Sequence, residues 1–215
     1  CLTVNHVGGD FYQYFQEDGK LSCCLADVTG HAMEAAVPVV MFSGILYREM
    51  ESLHNLENRL ASLNRSLSRS LGDRKFICFT MAEIDTDTKR FRLASCGSPY
   101  PLHFHNGEVT ELQVDGYPLG VREDTTYDTI EAQLSQGDYL VMYSDGIPET
   151  INKAEEMFGY ERTIETVREC CGEGISAEAL VARLMSKARE FAGEEPQADD
   201  MTCVVVRIEA KETGQ

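Results

Sequence analysis

The chain has 215 residues, enough for one large domain, and 43% of them are apolar, enough for a substantial core. Its 36 acidic and 19 basic residues leave a formal charge of −17, which argues against nucleic acid or an anionic membrane as partner, because both require a basic surface. The eight cysteines contain no Cys-x-x-Cys and several lie in apolar runs, the pattern of free buried thiols in a reducing, cytoplasmic compartment rather than of zinc or disulfide frameworks.

The first elements read as a hairpin, Asp10 to Phe15 and Lys20 to Ala26, turning at Glu17-Asp18-Gly19. Apolar residues then recur at helical spacing from Met33 to Ile45, with Pro38 predicting a kink or a restart. Leu53, Leu56, Leu60, Leu63, Leu67 and Leu71 form the stripe of a second helix. Core packing is the favoured reading of that stripe, and a homodimer seam the lesser one. Short β-rich runs follow at Phe76–Ile84, Arg90–Ser95, Leu102–His105, Val109–Val114, Thr126–Leu134 and Tyr139–Tyr143. Asn106-Gly107, Asp115-Gly116 and Gly137-Asp138 supply turns between them. Two late helices are predicted at Tyr160–Cys171 and Ala177–Ala192, the second capped by Ser176. The last strand, Met201–Ile208, is apolar on both faces, as a central strand would be. This segregated order predicts an α+β fold with mostly antiparallel sheets, in one domain over residues 1–210 with a polar tail at 211–215. No apolar run approaches the roughly 20 residues of a membrane span.

Four positions carry carboxylates at the edges of apolar strands: Asp10 after Gly8-Gly9, Asp27 before Val28, Asp145 before Gly146, and the pair Asp199-Asp200. Any one of them could simply cap a turn. If the strands are neighbours, all converge on one cleft, where they repel one another and call for hard cations such as Mg²⁺ or Mn²⁺.

These residues resemble the SpoIIE-type (RsbU-like) branch of the metal-dependent PPM serine/threonine phosphatases. The similarity runs through Gly8-Gly9-Asp10-Phe11-Tyr12, Asp27-Val28-Thr29-Gly30-His31, Pro118-Leu119-Gly120, Gly137-Asp138, Ser144-Asp145-Gly146, Phe158-Gly159 and Pro196 to Thr202. Single tripeptides are weak signals; the ordered set spans nearly the whole chain. The resemblance implies two packed antiparallel sheets flanked by helices, an α-β-β-α sandwich, with two Mn²⁺ or Mg²⁺ ions between the sheets. It implies that Asp27 bridges the metals, that Asp10 and the Val28 carbonyl hold the second, and that Asp145 and Asp199 hold the first. Asp200 is expected to support the site, with a swap of roles between it and Asp199 left open. Gly9 and Gly146 accompany the ligands, and Gly8 and Gly9 allow close backbone approach. His31 could serve as a general acid, although a structural role at the helix start is the favoured reading. His103 and His105 share a strand face, where exposed or satisfied histidines are the favoured reading and metal binding the lesser one.

The chain departs from the family pattern at Gly30-His31-Ala32, at Cys96-Gly97-Ser98-Pro99-Tyr100 and, mildly, at Ser144; no ligand position is lost. Phe11 argues against a diguanylate cyclase motif, and no Cys-x₅-Arg, phosphate-binding glycine loop or His-Glu-x-x-His is present. The expected chemistry is in-line attack on phosphorus by a hydroxide held between two cations about 3.5–4 Å apart. By resemblance the substrate is a phosphoserine or phosphothreonine on a STAS-type anti-anti-sigma protein, in a partner-switching pathway. The chain lacks an initiating Met, so an N-terminal extension carrying a sensor or regulatory domain is expected to act through the Met33–Ile45 helix beside Asp27. The alternative is a catalytically silent binding module on the same fold.

Overall fold

The computed structural model describes residues 1–4, 8–30, 33–52, 54–72 and 75–209. His31, Leu53 and the tail at 211–215 lie outside them. Strands β1 (Asp10–Glu17) and β2 (Lys20–Val28) form the hairpin, and Asp18 and Gly19, at φ of 46° and 76°, make its two-residue turn. Positive φ at both positions matches the twist of the flanking strands. Helices α1 (Met33–Met50) and α2 (Leu56–Ser70) follow, then β3 (Ile77–Asp85), β4 (Arg90–Cys96), β5 (Leu102–His105), β6 (Glu108–Glu111), β7 (Ile130–Gln133) and β8 (Tyr139–Tyr143). Helices α3 (Gly159–Gly172) and α4 (Ala177–Ala192) precede the last strand, β9 (Cys203–Arg207).

All strand pairs are antiparallel, in a five-stranded sheet of order β1-β2-β3-β4-β7 and a four-stranded sheet of order β6-β5-β8-β9. Strand alternation sorts their side chains into layers. In β2, Cys24 and Ala26 face α1 and α2, while Cys23 and Leu25 face the other sheet. In β8, Tyr139, Val141 and Tyr143 face α3 and α4, while Leu140 and Met142 meet the first sheet. The result is the α-β-β-α sandwich expected from the sequence. The leucine stripe is core: Leu56, Leu60, Leu63 and Leu67 are fully buried under the first sheet. All eight cysteines are free thiols.

Three expectations change. Pro38 lies within one continuous helix, α1, which does not restart there. Strands β6 and β7 are shorter than the runs Val109–Val114 and Thr126–Leu134, because the segment between them forms loop rather than ladder. Strand β9 lies at a sheet edge, not in a centre. Its apolar faces are nonetheless both covered: Cys203 and Val205 pack on the helical layer, Val204 and Val206 on the opposite sheet. Among the described residues no helix is long and apolar enough to cross a membrane.

Candidate active site

Asp10 opens β1 and Asp27 is the penultimate residue of β2, and the ladder sets them directly opposite one another. Cys78 of β3 stands beside Asp27 on its other side. Asp145 lies just beyond β8, at a turn closed by the Glu149 N–H donating to its carbonyl at 2.9 Å. Asp199 and Asp200 lie just before β9. Two strand ends from each sheet therefore deliver carboxylates to one cleft.

Electrostatics record the convergence. Burial, with Asp200 and Asp199 adding to it, raises the Asp10 carboxyl to about 7, against a hydrogen bond from Ser144 that works the other way. Asp27 is likewise pushed to about 7 by burial and then by Asp10, Asp145, Asp199 and Asp200. Asp145 is raised by burial and Asp199, and Glu149 by burial, Asp145 and Asp199. The Cys78 thiol rises to about 12, from burial and from the charges of Asp27 and Asp145.

Glycines make the approach feasible. A Cβ on Gly9 would stand 2.7 Å from the Val28 carbonyl oxygen, and one on Gly146 would stand 2.0 Å from the Asp200 carbonyl oxygen. A Cβ on Gly8 would meet the Asp200 carboxylate at 2.2 Å. The Val28 carbonyl thus sits against Gly9, whose own carbonyl accepts the Val28 N–H at 3.2 Å.

The adjacent aspartates differ in surroundings. Asp200 is buried, and its two carboxylate oxygens accept the Val4 N–H at 2.8 Å and the Gly9 N–H at 2.7 Å. Asp199 is exposed, and its carboxylate accepts the Asp200 N–H at 2.7 Å. A cavity of about 440 Å³ opens beside Asp199 and Gly146, with Arg189, Glu195 and Gln197 on its walls.

Ser144 received no role from the sequence beyond that of a mild substitution. Its buried hydroxyl donates to Asp10 at 2.8 Å and accepts the Thr202 N–H at 2.9 Å, tying both sheets to one ligand candidate. The available signal was its place between the end of β8 and Asp145. The departure at Cys96-Gly97-Ser98 begins on the last residue of β4, at the same sheet end as Asp27, with Gly97 packed on Pro118.

This cleft suits hard divalent cations. Its partly buried carboxylates disfavour their own charge in the absence of a counter-ion, and a backbone carbonyl lies among them. No three of them have ligand oxygens all within 4.8 Å of one another among the described residues, an open arrangement compatible with ions that keep several waters.

The family model of Stage II sporulation protein E (SpoIIE) matches residues 17–209. Phosphoserine phosphatase RsbU of Bacillus subtilis (strain 168) is 25% identical over 213 residues, covering 96% of this chain and 61% of RsbU. The chain therefore spans less than two thirds of that relative's length. The SiaA-PP2C domain of Pseudomonas aeruginosa superposes with a TM-score of 0.87 at 20% identity, over 97% of this chain and 83% of that one. The PP2C phosphatase domain of SpoIIE from Bacillus subtilis, solved with a fragment of its regulatory domain, gives 0.80 at 23% identity, over 95% and 59%.

Proposed function

The chain belongs to the SpoIIE family, and from that premise we propose that it is a metal-dependent protein serine/threonine phosphatase. The observation that carries the reading is the set of partly buried, mutually repelling carboxylates at Asp10, Asp27 and Asp145, built around a glycine-lined backbone carbonyl. Asp10, Asp27 and the Val28 carbonyl would hold one ion, and Asp27, Asp145 and Asp199 the other. The exposed carboxylate of Asp199 supports its assignment over Asp200, whose oxygens are already engaged by backbone N–H groups. When bound, two Mn²⁺ or Mg²⁺ ions supply Lewis-acid charge and an acidified water for attack on phosphorus.

The protein's own part is positional. Ser144 fixes the Asp10 carboxylate, Asp200 pins Gly9 and Val4, and the β1–β2 ladder holds Asp10 against Asp27. The acidic surface leaves phosphate recognition to the bound cations, with Arg189 in the adjoining cavity as a neighbouring positive group.

The substrate is a phosphoserine or phosphothreonine on a STAS-type regulator in the cytoplasm. A regulatory segment preceding this domain acts on α1, the helix that follows Asp27 in the chain. RsbU's name supports phosphoserine chemistry, and its greater length leaves room for such a segment. The test is hydrolysis of a phosphoserine peptide and of phosphorylated STAS protein, with Mn²⁺, Mg²⁺ or EDTA. Turnover that requires Mn²⁺ or Mg²⁺ and stops in EDTA is expected. Full turnover in chelator would overturn the mechanism, and metal binding without turnover would establish the silent module instead.

A further inference from the structure

We propose a second metal site, chemically distinct from the cleft: a Zn²⁺ site formed by His103, His105 and Asp138. His103 and His105 lie on one face of β5, two residues apart. The antiparallel register pairs His103 with Leu140 and Phe104 with Tyr139, so its next step brings Asp138 opposite His105. The His103 Nε2 atom is 3.1 Å from Asp138 Oδ2, and His105 Nδ1 is 2.9 Å from Oδ1. All three ligand atoms lie within 4.8 Å of one another. Ligands of a tetrahedral zinc stand about 3.3 Å apart, given bonds of about 2.0–2.1 Å, so the two nitrogen–oxygen separations, 3.1 and 2.9 Å, need to open by only tenths of an ångström.

Three features go beyond a chance cluster. The Asp138 side chain is only 4% exposed, and a ring nitrogen of each histidine lies within hydrogen-bond distance of its oxygens. Burying a carboxylate is costly unless it is hydrogen-bonded, paired or bound to a metal. Its Oδ2 also accepts the Ser135 N–H at 2.8 Å, which fixes its direction as an outer hydrogen bond fixes a ligating carboxylate. The far nitrogen of His105, Nε2, lies 2.8 Å from the Asn106 side-chain amide. That amide can present its oxygen to an Nε2–H once Nδ1 is ligated. His103 is further held edge-on against Phe91, with ring centroids 6.0 Å apart.

The donor set decides the metal. Two imidazoles and one carboxylate suit Zn²⁺, whereas the oxygen-only cleft suits Mg²⁺ or Mn²⁺. Asp138 and Asp145 flank opposite ends of the five-residue strand β8, so at about 3.3 Å per residue the two sites are about 20 Å apart. The half-exposed His105 leaves the fourth position open to water. The ion would clamp the β5–β6 turn to the start of β8.

The experiment is calorimetric titration of Zn²⁺ into the chain in excess Mg²⁺, comparing wild type with His105→Gln, a change at a half-exposed side chain. Wild type is expected to take up one more equivalent of Zn²⁺ than the variant, which loses affinity at this site by about a hundredfold or more. In ¹⁵N-histidine spectra of wild type, one equivalent of Zn²⁺ should move the imidazole nitrogens of His103 and His105 and leave those of His54 in place. Equal stoichiometry and affinity in His105→Gln would overturn the site. Unmoved His103 and His105 resonances would overturn it without any variant.

Discussion

Asp27 faces Asp10 across the β1–β2 ladder, and each gains from shedding its charge when no cation is present. Both carboxyls sit near pH 7 in the fold, against 3.8 ordinarily. The folded chain therefore holds these protons more tightly than the unfolded one. The stability this contributes is complete below about pH 4 and is lost as pH rises through about 7. The metal-free melting temperature is expected to fall between pH 5 and pH 8, and to fall less in Asp27→Asn. At pH 7.5 that variant and Asp145→Asn should melt no earlier than wild type without metal. Mn²⁺ should stabilise wild type by mass action and the variants much less. Turnover in both should drop by about a hundredfold or more, since losing an oriented charge at a phosphoryl-transfer site costs several kcal/mol of barrier. Melting scans with and without Mn²⁺, beside a phosphatase assay, check all of this. Early-melting variants with near-normal turnover would make these carboxylates structural. The strand-end aspartates were legible because apolar runs stop at them. The unequal surroundings of Asp199 and Asp200 were not legible from the residues themselves, and the family resemblance left a swap open, because they depend on Val4 and Gly9, nearly two hundred positions away in the chain.

At the scale of elements, local signals translated directly where the chain contacts itself nearby. Helix α4 begins after Ser176, whose hydroxyl accepts the Ala179 N–H at 3.1 Å, and its buried residues Leu180, Leu184 and Ala188 recur at helical spacing. Ser176→Ala should cost about 1 kcal/mol of stability in a denaturant titration and leave turnover unchanged, because only a helix end is affected. A change in turnover would couple α4 to the cleft more closely than its cap implies. Signals set by distant partners translated less well. The two apolar faces of β9 report helices on one side and a sheet on the other, and neither face says what lies alongside the strand. The same holds for His103 and His105. Their spacing placed them on one strand face, but only the β5–β8 register brings Asp138 between them.

Across the whole molecule, four layers arise from the alternation of β2 and β8, each buried on both faces. The fold class was legible because strands and helices are segregated along the chain; the pairing order of the sheets was set by contacts between remote segments. The cleft lies at the seam between the first strands and the last. Leu2 pairs with Met201, with N–H to carbonyl distances of 2.8 and 2.9 Å, and Asp200 accepts the Gly9 N–H. This seam has a consequence in time. Hairpins and helices form from neighbours within microseconds, whereas contacts of such long sequence separation wait for nearly the entire chain to be arranged. Competence to bind Mn²⁺ should therefore be a late event of refolding. After dilution from denaturant, far-ultraviolet circular dichroism should recover first and metal-dependent turnover afterwards, in a slower phase that Gly146→Ala prolongs by crowding the Asp200 backbone. Simultaneous recovery of both signals would place the seam in the early nucleus instead. The carboxylate cluster would then organise folding rather than complete it.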